Sequence, residues 1–157
     1  MWGLLIWKMR ATGAYVLYVD IKQLLNLRVG SMGIVDFPVG RYAYVGSARR
    51  GIAARVARHR RLAEQKTGKL HWHIDYLLVN PYVRLAGEAV LENGIECSIA
   101  RQIFRMKGVT VPVPGFGSSD CQSGCKAHLY LLPEAGRALD LAQLLKVSKA
   151  RRTRKHH

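Results

Sequence analysis

A chain of 157 residues with 49% hydrophobic content is long enough for one α/β core and too short for two comfortable ones. Its 25 lysines and arginines against 10 acids give a net charge of +15, a field that attracts polyanions such as nucleic acid or an anionic membrane surface. No run of about eighteen apolar residues is present to cross a bilayer, so membrane integration is set aside.

Residues 1–11, MWGLLIWKMRA, read as an N-terminal extension whose charges follow its short apolar run, unlike a secretory signal. Together with an odd count of three cysteines, this leads us to expect a soluble protein of a reducing compartment, the cytoplasm. Residues 13–20, GAYVLYVD, are dominated by β-branched and aromatic side chains and predict a buried strand. Three glycines and a proline then punctuate RVGSMGIVDFPVG, which predicts a small hairpin or turn-rich insertion over residues 21–38, before a second strand over 40–46.

Ser47 precedes RRGIAARVARHRRLAEQK, where Ile52, Val56 and Leu62 with Ala53 and Ala63 make the apolar stripe of a helix. Seven arginines and no acid fall between Arg41 and Arg61. A helix so basic can lie along a phosphate backbone, with Arg41, Arg49, Arg50, Arg58 and Arg61 as candidate nucleic-acid contacts; the plainer alternative is a solvated charged face. The run LHWHIDYLLVNP predicts a strand ended by Asn80 and Pro81, and VRLAGEAVL a second strand able to pair with it. From Ile95 the positions Ile95, Ile99, Ile103 and Phe104 have helical spacing as far as about Lys107. A loop with Pro112, Pro114, Gly115 and Gly117 follows, then AHLYLL as a last strand and EAGRALDLAQLLKVS as a C-terminal helix.

The tail adds six cations from Lys146 to Lys155, and removing them still leaves +9, so the body is basic in its own right. The division expected is an extension over 1–11, one domain over 12–132, and a C-terminal helix with a basic tail over 133–157. Its fold class is α/β, a small mixed or antiparallel sheet with helices packed on it as an α+β sandwich.

Gly13-Ala14-Tyr15 resembles the first motif of the GIY-YIG nuclease superfamily, and Tyr44-Val45-Gly46-Ser47-Ala48 resembles its second. Arg55 on the basic helix and Glu96 at the start of the later helix match the family's arginine and metal-binding glutamate, and His59 follows Arg55 one turn later on the same face. With RHRR, HWHIDYL, EC and GFGSSDC added, the chain is similar to an uncharacterised branch of that superfamily, found alone or fused to a DNA glycosylase of the endonuclease III type. The resemblance covers residues 12–132 and implies a DNA endonuclease using one Mg²⁺ or Mn²⁺, with a DNA-repair protein as a further partner and RNA open as a substrate. Two features depart from the pattern: alanine replaces the usual isoleucine in the first motif, and 29 residues separate Tyr15 from Tyr44 where the superfamily has a short hairpin. The asparagine found late in many members has no obvious counterpart.

Cutting a phosphodiester takes a nucleophile, a positive clamp on the developing charge and usually a metal held by carboxylate. Tyr15 is the candidate base, since a guanidinium and a divalent ion beside a phenol favour its phenolate. Tyr44 would position the water or the phosphate, although the two tyrosine roles are exchangeable; Arg55 would bind the scissile phosphate and Glu96 the metal ion. Packing of strand aromatics explains either tyrosine taken alone. Glu88 and Glu92 are rivals to Glu96, whose place in a first helical turn is also favoured by the helix dipole.

Two further clusters stand out. Cys97, Cys121, Cys125 and His128 offer three thiolates and an imidazole to zinc, but the spacing is loose, and small buried cysteines or an active-site rim is the plainer explanation. His71, His73 and Asp75 alternate along the expected strand, and His73 with Asp75 are candidate supporting groups beside the basic helix. The competing function is a nucleic-acid-binding module that keeps the fold without cutting.

Overall fold

The computed structural model describes residues 13–119 and 121–133. The N-terminal extension, Asp120, the expected C-terminal helix and the basic tail lie outside the described residues. In chain order the elements are β1 (Gly13–Ile21), β2 (Leu25–Arg28), β3 (Ile34–Phe37), β4 (Gly40–Ala48), α1 (Ile52–Gln65), α2 (His73–Leu78), β5 (Val83–Glu92), α3 (Glu96–Phe104) and β6 (Leu129–Leu131). Four strands form one antiparallel sheet in the order β5-β1-β4-β6, and β2 pairs with β3 in a separate hairpin. The expected class, a small antiparallel sheet flanked by helices, is the observed one.

β1 is a near-continuous apolar run because both of its faces are covered. Tyr15, Leu17, Val19 and Ile21 point to a core shared with Ile52, Val56 and Leu62 of α1 and with Ile74, Leu77 and Leu78 of α2. Ala14, Val16 and Tyr18 point the other way, against Ile99, Ala100 and Ile103 of α3 and Tyr130 of β6. The sheet is therefore the middle layer of three.

The insertion between the two tyrosine strands is the predicted hairpin, β2 and β3 joined through a short 3₁₀ turn over Gly30–Met32. It is part of the core rather than a flap: Leu25, Val29 and Phe37 are buried, and the Phe37 ring meets the edge of Phe116 at 5.7 Å.

One element differs in kind from the sequence expectation. LHWHIDYLLVNP contains the helix α2, not a strand, and β5 pairs with β1 instead. The alternation Leu70, Trp72, Ile74 mimics a strand, but Ile74, Leu77 and Leu78 make the i, i+3, i+4 stripe that is buried. The Asp75 carboxylate decides the start by accepting the backbone N–H groups of His71 and Trp72 at 2.7 and 2.9 Å, donors that a helix leaves unpaired. His71, His73 and Asp75 consequently do not share a strand face.

Candidate active site

The antiparallel register of β1 and β4 sets Tyr15 opposite Gly46 and Tyr44 opposite Leu17, which puts both phenols on the α1 side of the sheet. Their ring centroids are 6.4 Å apart, and the residues are 2% and 5% exposed. Gly46 is the seat of the Tyr15 ring: a Cβ built there would overlap the phenol carbon and oxygen of Tyr15. On the far side, Gly117 at φ +72° brings the loop backbone against Tyr44, where a Cβ would stand 2.9 Å from Cε2, and Phe116 meets the Tyr44 ring edge-on.

α1 delivers Arg55 and His59 one turn apart to the same place. The Tyr15 hydroxyl and His59 Nε2 are 2.8 Å apart in a buried hydrogen bond. The other ring nitrogen, Nδ1, lies 3.4 Å from Asp75 Oδ1, an electrostatic contact longer than a well-formed hydrogen bond. Asp75 is fully buried and held by both Nη atoms of Arg58 at 3.0 Å and by the backbone N–H groups of His71 and Trp72 just before α2. Burial alone would raise its carboxyl; His59, Arg58 and those N–H groups outweigh burial and hold it well below the ordinary carboxylate range. Arg55 donates from Nη1 to the Ser47 carbonyl at 2.8 Å and lies over the Trp72 ring, 4.3 Å from its centroid, with its charge toward the cleft.

Glu96 opens α3 and reaches back to the end of β4, where Ser47 Oγ donates to its Oε2 at 2.7 Å. His128 Nδ1 comes within 3.0 Å of Oε1. Burial would raise the Glu96 carboxyl, but His128 and Ser47 win and lower it, leaving a carboxylate at the cleft. Cys97, next in the chain, lies 3.5 Å sulfur to sulfur from Cys121. One donor atom each from Cys97, Cys121, Cys125 and His128 falls within 4.8 Å of the others, a group able to hold a metal ion.

These residues surround one cleft of about 420 Å³, whose walls include Tyr15, Tyr44, Ser47, Arg49, Arg55 and Glu96. Within it, burial raises the Tyr15 phenol and Arg55 only partly opposes that, while Glu96 adds to the rise. Tyr44 is raised in the same way, first by burial and then by Tyr15. Arg55 pulls both phenols toward the phenolate, the direction expected of a guanidinium, but burial outweighs it.

Of the residues singled out from sequence, Tyr15, Tyr44, Arg55, Glu96 and Arg49 line the cleft, as do Cys97, Cys121 and His128, and His59 stands directly behind Tyr15. His73 does not line it: from α2 its Nδ1 accepts the Gly117 N–H at 2.9 Å and so ties down the loop that packs on Tyr44. Arg58 is spent on Asp75, and Arg41, near the other end of β4, pairs with Asp20 at 2.7 Å. Arg50 flanks the cleft beside Arg49, and Arg61 is exposed on α1. Of the rivals to Glu96, Glu88 pairs with Arg60 and Glu92 is exposed on β5, and neither lines the cleft. Sequence reasoning gave no role to Ser47 or Trp72; the signal for Ser47 was its place within the Tyr44-Val45-Gly46-Ser47-Ala48 motif.

Among the described residues no helix is long and apolar enough to cross a membrane. Residues 14–150 match the family described as domain of unknown function DUF123, and the chain belongs to that family. No curated protein and no solved structure matches it.

Proposed function

We propose that this DUF123 domain is a metal-dependent DNA endonuclease of GIY-YIG type that hydrolyses phosphodiester bonds in DNA repair or processing. The observation that carries the reading is the convergence of Tyr15, Tyr44, Arg55 and Glu96 on one cleft in a body of strong positive charge. Chance packing of strand tyrosines does not require a guanidinium and a carboxylate beside them.

Arg55, oriented by Ser47 and Trp72, clamps the scissile phosphate and offsets the charge that develops on it. With its Nδ1 hydrogen toward Asp75, His59 presents Nε2 as an acceptor, so the Tyr15 hydroxyl donates to it. Tyr15 then takes a proton from the attacking water as its own passes to His59, Asp75 balances the imidazolium so formed, and the P–O bond to the leaving strand breaks, its oxygen taking a proton from solvent. This relay needs no standing phenolate, in keeping with the burial that keeps Tyr15 protonated. Tyr44 borders the water and the phosphate. The Glu96 carboxylate, half-buried at the cleft and ionised, fits one hard divalent ion that keeps most of its shell as water. Mg²⁺ or Mn²⁺ bound there would supply Lewis-acid stabilisation of the phosphate.

The test is incubation of the protein with branched, nicked and plain duplex DNA, with Mg²⁺, with Mn²⁺ and with excess chelator. Cleavage of at least one substrate that stops with chelator or with Arg55→Ala is the expected result. Binding without cleavage of any DNA, equal in wild type and Arg55→Ala, would mean a non-cutting nucleic-acid-binding module.

A further inference from the structure

We propose that Cys97, Cys121, Cys125 and His128 bind a structural zinc ion, and that His128 links that ion to the Glu96 carboxylate. The four donor atoms already stand close enough to converge on one ion. Zinc–sulfur bonds of about 2.3 Å and a zinc–nitrogen bond of about 2.0 Å put the ligands roughly 3.5–3.8 Å apart. Here all four lie within 4.8 Å of one another, with Cys97 and Cys121 at 3.5 Å. That separation is well beyond a disulfide, and all three thiols are free. Three sulfurs with one imidazole select a soft or borderline ion, so zinc is favoured over the hard ion expected at Glu96.

A second, independent observation comes from His128. The residue is 2% exposed, and neither ring nitrogen has a hydrogen-bond partner, Nδ1 making only a charge contact with Glu96, a costly condition for buried polar atoms. Since Nδ1 faces Glu96 at 3.0 Å, Nε2 is the nitrogen left for a metal, and the contact to Glu96 becomes the carboxylate partner that metal-bound histidines commonly keep. The chain also needs such a tie. From 105 to 128 no helix or strand is present among the described residues, and Cys121 and Cys125 lie in this stretch while Cys97 sits in the first turn of α3. Zinc would fasten that loop to the helix, and four protein ligands leave no open position for catalysis.

Zinc binding does not depend on the endonuclease reading; the role of the Glu96 contact rests on it. The full chain is expressed with Zn²⁺ and purified under reductant, and its metal content is measured. Roughly one zinc per chain is expected, falling below about a tenth of that in Cys121→Ser. Should that variant not fold, wild type refolded with Co²⁺ should show the sulfur-to-cobalt charge-transfer band of a thiolate-rich site. Folded, reduced wild type without zinc or with another metal in its place, or a Cys97–Cys121 disulfide by mass, overturns the site. For the link to Glu96, His128→Cys keeps four ligands but cannot reach the carboxylate. It should retain zinc yet bind Mn²⁺, followed by the electron paramagnetic resonance of the free ion, about tenfold more weakly. Equal Mn²⁺ binding, or none in either protein, overturns the link while leaving both the zinc site and the cleavage assay to stand on their own results.

Discussion

The Tyr15 hydroxyl lies 2.8 Å from Nε2 of His59, and both residues are shut away from solvent at the back of the cleft. In the proposed relay Asp75, 3.4 Å from the opposite ring nitrogen, sets the sense of that bond. In Asp75→Asn the side-chain amide can present N–H to Nδ1, which places the ring hydrogen on Nε2 and removes the acceptor of Tyr15. Reversal of this kind in a hydrogen-bonded triad costs on the order of 10⁴ in rate. Single-turnover cleavage by Asp75→Asn should fall by at least about a hundredfold with DNA affinity unchanged; an unaltered rate would remove Asp75 and His59 from the proton path.

Asp75 also gives stability a pH dependence of definite sign. Its folded carboxyl titrates below the unfolded value of about 3.9, so its contribution is complete above that value and is lost as pH falls through the lower folded one. Urea unfolding between about pH 2 and pH 6 should therefore show wild type losing stability steeply on the acid side. Asp75→Asn should be less stable near neutrality, by about 3 kcal/mol because Arg58 loses its buried partner, and flatter with pH. Parallel curves for the two proteins would contradict the assignment.

Gly46 and Gly87 make a matched pair. A Cβ at Gly46 collides with the Tyr15 ring, whereas at Gly87 its nearest neighbour is Tyr18 Cδ2 at an ordinary 3.7 Å. Gly46→Ala should cost about 1–3 kcal/mol in urea unfolding, the range for overpacking, and should lower cleavage; Gly87→Ala should be nearly neutral in both.

Ser47 acts through Glu96. Removing its hydroxyl in Ser47→Ala takes away one 2.7 Å hydrogen bond at an exposed site, so stability should change by less than about 1 kcal/mol. The Mg²⁺ concentration giving half-maximal cleavage should nevertheless rise about tenfold or more, because the carboxylate loses the group that orients it.

The basic residues separate by their surroundings. Arg49 and Arg50 are exposed at the cleft, while Arg41 pairs with Asp20 away from it. Plots of log affinity for duplex DNA against log salt should lose about 0.9 of slope for each of Arg49→Ala and Arg50→Ala, and almost none for Arg41→Ala.

Much of this arrangement was legible in the sequence because it is local or carried by residue type. The strand character of β1 and β4, the stripe of α1 and the spacing of Ile95, Ile99 and Ile103 in α3 all follow from one period along the chain. The tyrosines, Arg55 and Glu96 were marked by chemistry and order. What escaped is what folding joins across the chain. Asp75 was marked as a supporting group beside the basic helix, but its pairing with His59 and Arg58 arises only because α2 docks on α1, and the same run, read as a strand, hid the carboxylate's place at the start of a helix. The ties from Ser47 and His128 to Glu96 likewise close only when α3 and the loop before β6 meet the end of β4.

The central claim is that Tyr15 moves the proton of the attacking water. Tyr15→Phe keeps the ring that packs on Gly46 and deletes only the hydroxyl bonded to His59. Single-turnover cleavage of the best DNA substrate in Mg²⁺, measured beside DNA affinity and urea stability, should fall by about 10²–10⁴ with affinity unchanged. A Tyr15→Phe protein that cuts at the wild-type rate would contradict the account.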